Sequence, residues 1–405
     1  MCKSLGNYKK KYKVSDIYKA HFGSYVKSPV RRLRMTDRIY ESVNKSQACK
    51  TSKLGFARYV CQCCGEITDI MRSCKDRFCS SCGTADTIRW GDQLLLKFYN
   101  IKHYHIVCTL PKGLRTLSKM NGTKLTDLLF QVSGRVIRRL FEGRYGIMPG
   151  IVSVLHTSGS DLKYHPHVHM IVSGGGKVMG KEGEYKELAG DWLGHQRVLG
   201  RQVKELYEKL LLREYHGGRL AVFRSISNEE DLKKWLRKKS KDYWVVNIEP
   251  PMRDVNEVIG YVGRYTKKAC ISDYRLEEIG DQIKFRYKDY KNSVRGEKPL
   301  ESLKVYSPVE FLDELLQHVP KKRYRTVRYY GLYNSRYMKH IPKDLRLSIE
   351  EVSPILVAYE EGYDWGEYEQ YRKSLLESGQ DDPLWCYICN QEKVLLYVKY
   401  YEDSS

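Results

Sequence analysis

The stretch "CQCCGEITDIMRSCKDRFCSSCG" restricts the fold more than any other, because seven of the chain's 12 cysteines fall between Cys49 and Cys82. In a chain of 405 residues so local a cluster does not read as a disulfide framework. Cys61-x2-Cys64-Gly65 and Cys79-x2-Cys82-Gly83 have the form of two knuckles, each presenting two thiolates at a tight turn that the following glycine relieves. Together they predict one structural Zn2+ held by Cys61, Cys64, Cys79 and Cys82, a closed tetrahedral shell with no position left for substrate. Cys49, Cys63 and Cys74 are then surplus or belong to a second metal. Cys386-x2-Cys389 is a half-site with no visible partner pair, and zinc is not expected there.

The chain as a whole has the composition of a folded protein, 41% hydrophobic, and its length suggests two or three domains. No apolar run is long enough to cross a bilayer, and no apolar signal region follows the basic N-terminus, so a cytoplasmic, nucleoid-associated protein is expected. Lys plus Arg number 71 against 49 Asp plus Glu, a net charge of +22 that favours a polyanionic partner through counterion release. The residues from Ser348 to Asp382 are acidic, so the positive field arises elsewhere. One source is "KKRYRTVRYYGLYNSRYMKHIPKDLR", Lys321 to Arg346, where cations interleave with tyrosines. Lys321, Lys322, Arg323, Arg325, Arg328, Tyr329 and Tyr330 are candidates to follow a phosphate backbone and stack on the bases of single-stranded nucleic acid. The plainer alternative is a solvated basic face over half-buried tyrosines.

"YHPHVHMIVSGG", Tyr164 to Gly175, places His165, His167 and His169 at alternate positions of an apolar strand that is expected to end at the glycines. Residues two apart on a strand face the same way, so His167 and His169 can reach one divalent ion. The preceding residues read as a hairpin, Ile151 to His156 against His165 to Val172, which brings His156 across from the pair. His156 therefore ranks above His165 as third ligand, with His105 of "KHYHIVCTLP" a further alternative. A metal beside basic charge suits phosphate chemistry. "GGKVMGKE" has Glu182 where a P-loop needs Ser or Thr, so nucleotide hydrolysis is excluded. In "EVIGYVGRYTKKACIS" a helix would stack the hydroxyls of Tyr261 and Tyr265 one turn apart, with Arg264, Lys267 and Lys268 adding charge for phosphate.

"HPHVH", "YVGRYTKK" and "SCKDRFCSSCG", together with "HIVCTLP", "GHQRVLGRQ" and "EFLDELLQHVPKKRYRTVRYYGLY", resemble in content and order the two-tyrosine HUH transposases of bacterial insertion sequences, the IS91 type. The resemblance covers nearly the whole chain. It implies rolling-circle transposition, in which single-stranded DNA is nicked and rejoined through a 5′-phosphotyrosine. It also implies that His167 and His169 are the paired histidines holding Mg2+ or Mn2+, that Tyr261 and Tyr265 are the nucleophiles, and that a host helicase or replication machinery separates the strands. The terminal "CYIC" departs from the family pattern in lacking a following glycine. Replication initiators, relaxases and a non-catalytic zinc-binding DNA-binding regulator are the rival readings.

The order of expected elements is β-α-β-β-α-β, which predicts an α+β fold with a ferredoxin-like antiparallel sheet and helices on one side. Residues 1–92 are read as a helical lead-in and zinc module, 93–270 as the catalytic domain, and 271–405 as a DNA-binding extension with an acidic tail.

Overall fold

The computed structural model describes residues 12–400 apart from 84–93, 95–97, 192, 241–242, 254–257, 259–268, 291, 295–298, 339–340, 347–381 and 383. Helix α1 (Asp37–Ala48) leads to the hairpin β1 (Phe56–Val60) and β2 (Ile67–Met71). Then come β3 (His103–Thr109), α2 (Thr123–Tyr145), β4 (Ile147–Ser158), β5 (Tyr164–Val178), β6 (Tyr185–Glu187), α3 (Gln196–His216), α4 (Glu229–Lys239) and β7 (Val246–Ile248). The later part holds β8 (Leu276–Ile279), β9 (Ile283–Asp289), β10 (Leu300–Tyr306), α5 (Pro308–Leu316) and β11 (Val327–Gly331). It closes on β12 (Trp385–Cys386), β13 (Gln391–Glu392) and β14 (Val394–Lys399).

The fold is α+β with antiparallel sheets. The main sheet runs β11-β4-β5-β3-β7, with β6 beside β5, and every pairing in it is antiparallel. Alternate residues of a strand face opposite ways. Tyr104, Ile106 and Cys108 of β3, Ile151 and Leu155 of β4, and Val168, Met170 and Val172 of β5 share one core with Leu129, Phe130 and Phe141 of α2 and Leu199, Val203 and Tyr207 of α3. Each fully buried aliphatic or aromatic side chain contributes roughly 1.5–3 kcal/mol, and Phe130→Ala would cost roughly 3–5 kcal/mol. The same alternation turns His105, Val107 and Thr109, Val154 and His156, and His167, His169 and Ile171 to the other side of the sheet.

Two strands differ from expectation. The histidine strand does not stop at the glycines but continues through Gly174, Gly175 and Gly176 to Val178. A Cβ on Gly176 would lie 2.0 Å from the Met148 carbonyl oxygen, so the glycines permit close approach of neighbouring strands instead of ending the ladder. The strand that closes the expected β-α-β-β-α-β order is short, Val246–Ile248.

A second core joins Ile17, Tyr18, Phe22 and Val43 near the N-terminus to Phe285 of β9 and Phe311, Leu312 and Leu315 of α5. Ser307 and Glu310 cap α5 reciprocally, with Pro308 opening its first turn. β11 adds to the outer edge of β4, and β14 pairs antiparallel with β1, so packing crosses the ranges 1–92, 93–270 and 271–405.

Candidate metal centres and the histidine face

His156 and His167 are directly opposed across the β4–β5 ladder, with His169 opposite Val154 two residues along. The ring centroids lie 5.4 Å apart for His156 and His167, 4.6 Å for His156 and His169, and 4.8 Å for His167 and His169. One nitrogen of each comes within 4.8 Å of the others, close enough for a single ion. His165 meets His167 at a tilt, with ring centroids 5.2 Å apart, but stands outside this group.

Contacts behind the three rings orient two of them. His167 donates from Nδ1 to the carbonyl of His165 at 2.7 Å, which makes Nε2 the nitrogen that could ligate an ion. His169 Nδ1 lies 2.9 Å from His105 Nε2, and His105 Nδ1 lies 2.9 Å from a Glu249 carboxylate oxygen. One set of tautomers satisfies both contacts: His105 donates to Glu249 and accepts from His169, a pattern in which His169 would ligate an ion through Nε2. His105, weighed as an alternative ligand, is thus placed one step behind His169. Its partner Glu249 carries no pattern legible in the sequence. Burial lowers the pKa of His167, and it lowers that of His169 further, with His156 and His167 adding to the effect. Neutral imidazole is the form that ligates metal.

Beside His156 opens a cleft of about 940 Å3 whose walls include Arg77, Lys119, Arg275 and Lys321. Tyr261 and Tyr265, with Arg264, Lys267 and Lys268, lie outside the described residues. Residues near them in the chain are placed. Val258 is buried and helical in a core that includes Val152 and Ile171, residues of the histidine side of the sheet. Ala269 and Cys270 line the cleft together with His156.

The cysteines are arranged differently from the expected single shell. Cys79 and Cys82 gather with Cys49, at the end of α1, and Cys74, whereas Cys61 and Cys64 gather with Cys386 and Cys389. Zinc at Cys61, Cys64, Cys79 and Cys82 together is therefore corrected: the two N-terminal knuckles serve two separate groups of four. The reason is topological, because β14 pairs with β1 and carries the C-terminal knuckle to Cys61. In the first group Cys74 Sγ and Cys82 Sγ lie 3.6 Å apart. That spacing is far beyond a disulfide bond and near the ~3.8 Å edge of a zinc–thiolate tetrahedron built from ~2.3 Å bonds. Cys63 belongs to neither group. The missing glycine after "CYIC" is explained by Asn390, which adopts φ 54°, a left-handed conformation that Asn tolerates better than most residues. Lys50 and Lys75, each following a cysteine of the first group, adopt φ 55° and φ 51°. The Cys-x2-Cys knuckles were legible in the sequence, but which of them gather together was not.

The basic-aromatic segment divides. Lys321, Lys322, Arg323 and Arg325 are exposed. Arg328 pairs with Asp127 and sits 4.3 Å over the Phe130 ring, and Tyr330 packs against the main core. Tyr329 is half-buried, and Tyr333 is fully buried with its hydroxyl 2.6 Å from His103 Nε2. The cations thus reach solvent while several of the rings turn inward.

Residues 17–110 match a family described as "Transposase zinc-binding domain", and residues 150–340 match one described as "Putative transposase". The chain is 28% identical over 337 residues to "Putative transposase y4qJ" of Sinorhizobium fredii, covering 80% of this chain and 81% of that protein. It is also 28% identical over 317 residues to the transposase for insertion sequence element IS801 of Pseudomonas savastanoi pv. phaseolicola, covering 75% and 72%. No solved structure matches the chain. Among the described residues no helix is long and apolar enough to cross a membrane.

Proposed function

The chain belongs to the IS91-type transposases, and on that basis we propose that it nicks and rejoins single-stranded DNA at element ends through a 5′-phosphotyrosine, driving rolling-circle transposition. The observation that carries this reading is the His156, His167 and His169 group on the side of the sheet away from α2 and α3, with Val258 and Cys270 packed near it from either end of the tyrosine segment. The strand order β4-β5-β3-β7, with α2 and α3 packed on one face, supports taking the domain as a ferredoxin-like HUH endonuclease.

The residues fit a divalent cation. Three imidazoles form a borderline donor set that a transition ion accepts more readily than Mg2+, which prefers oxygen, so of the two expected ions Mn2+ suits the site better. Such an ion, when bound, offsets charge on a phosphate in the transition state. His105 and Glu249 hold His169 in register, and the His165 carbonyl does the same for His167.

In the proposed reaction the phenol oxygen of Tyr261 or Tyr265 attacks phosphorus. A P–O bond to the tyrosine forms, the bond to the 3′ oxygen breaks, and the phenolic proton ends on that departing oxygen. A free phenol has a pKa of ~10, so it needs help to lose the proton. Phenolate is also a good leaving group, so the step reverses without an external energy source. A second tyrosine allows a second cleavage while the first still holds DNA. Arg264, Lys267 and Lys268 and the exposed Lys321, Lys322, Arg323 and Arg325 supply charge along the strand, and a host helicase or replication machinery supplies that strand.

The test is a labelled single-stranded oligonucleotide carrying the element's end, incubated with protein and Mn2+ and boiled in detergent. A DNA-linked protein band is expected, lost when Tyr261→Phe and Tyr265→Phe are combined. Adducts that survive the double substitution, or nicking without any adduct, refute the mechanism.

A further inference from the structure

The last described residues of the chain bring two cysteines to the N-terminal module. Cys64 Sγ and Cys386 Sγ lie 3.6 Å apart although 322 residues separate them, and Cys61 and Cys389 complete a group whose sulfurs all fall within 4.8 Å. Both halves are formed as knuckles. On one, the Cys61 amide donates to Glu66 and the Gly65 amide to Cys61, with Gly65 at φ 75°. On the other, β12 and β13 form a hairpin around Cys386 and Cys389, with Asn390 at φ 54°.

The hairpin has little else to hold it. Its strands are two residues each, and Tyr387 and Ile388 at its tip are 64% and 77% exposed. A hairpin so short does not stand alone in water. Its links to the module converge on the sulfur group: Gln391 donates to Cys61 Sγ at 3.1 Å. Next to it Lys393, 4% exposed, reaches Glu66 at 3.1 Å and Thr68 at 2.8 Å. Val394 then begins the β14 ladder opposite Val60. The family match to a zinc-binding domain ends at residue 110 and so provides no partner for Cys61 and Cys64 at the far end of the chain.

We propose that Cys61, Cys64, Cys386 and Cys389 bind a second Zn2+, distinct from the one at Cys49, Cys74, Cys79 and Cys82, and that this ion fastens the C-terminal segment to the N-terminal module. Four thiolates leave no open position, so the site is structural. It closes the chain into a loop and makes zinc occupancy the condition for the β1–β14 pairing. The proposal stands apart from the nicking chemistry and does not depend on it.

The test uses the full-length protein. Native mass spectrometry and cobalt substitution count thiolate-bound metal; ions held by the histidine face give no thiolate charge-transfer band and cancel in the comparison of variants. Wild type is expected to hold two such ions. Replacing both Cys386→Ser and Cys389→Ser should remove one ion and about half of the cobalt–thiolate absorption, matching the loss in Cys49→Ser with Cys74→Ser, as two equivalent four-sulfur sites require. Tryptic cleavage after Lys393 should accelerate about tenfold or more in the first variant, since cleavage tracks the opened population. Cys389→His should keep both the ion and the protection, because a three-cysteine, one-histidine shell also binds zinc. One thiolate-bound ion in the wild type, or two retained after both serine replacements, overturns the proposal.

Discussion

His105 lies between His169 and Glu249, 2.9 Å from each, so a carboxylate just after β7 fixes, through His105, the β5 ring of the three-histidine group. Residues in this role govern how well a ligand is presented rather than whether it is present. Glu249→Gln or His105→Ala should raise the Mn2+ concentration needed for half-maximal nicking by about 10–100-fold, with the rate at saturating Mn2+ far less affected. An unchanged metal requirement in both variants would remove these residues from the site.

Acid should destabilise the protein through its buried histidines. Burial holds both His103 and His318 down at about 4, against an ordinary value of 6.5. As pH falls below 6.5 the unfolded chain takes up these protons and the folded one does not, so the contribution of these two residues to stability drops from there to about pH 4 and then levels off. Each histidine contributes roughly 1.4 kcal/mol per pH unit within that window. His318→Gln, measured by urea unfolding at several pH values in the window, should flatten the slope by that amount. A slope equal to that of the wild type would contradict the assignment.

Two glycines should respond oppositely to alanine. A Cβ on Gly150 would sit 2.7 Å from the Tyr333 ring, which is stacked 4.7 Å from Phe98 and cannot retreat. Gly150→Ala should cost about 1–3 kcal/mol by overpacking. Gly143, near the end of α2, has nothing within 4 Å of its Cβ position, and Gly143→Ala should stabilise by about 0.5–1 kcal/mol. Melting temperatures of the two variants moving in the same direction would show that the packing around β4 has been misread.

The basic segment should separate into binding and folding residues. Lys322→Ala should lower the dependence of single-stranded DNA affinity on salt by about 0.7 in the log–log slope, the value for one phosphate contact. Arg328 is committed to Asp127 and Phe130. Arg328→Ala should therefore reduce the urea midpoint and leave the salt slope alone. Titrations at four or five salt concentrations decide between them.

Local order was legible in the sequence because it depends on short-range periodicity. The alternation of His165, His167 and His169, the turn before Tyr164 and the helical repeat of α2 sufficed to put His156 opposite His167. The knuckles, too, followed from Cys-x2-Cys spacing and a turn residue. Which knuckles share a metal is a matter of long-range pairing, and β14 reaching β1 after more than three hundred residues leaves no trace in local pattern. The role of Glu249 and the burial of Tyr333 were hidden for the same reason: a lone carboxylate or tyrosine takes its function from what the fold sets against it. The residue types and their spacing fixed which ligands and nucleophiles were on offer. Tertiary packing alone decided which of them meet, because only closure of the sheet and burial of its core bring distant side chains within bonding distance.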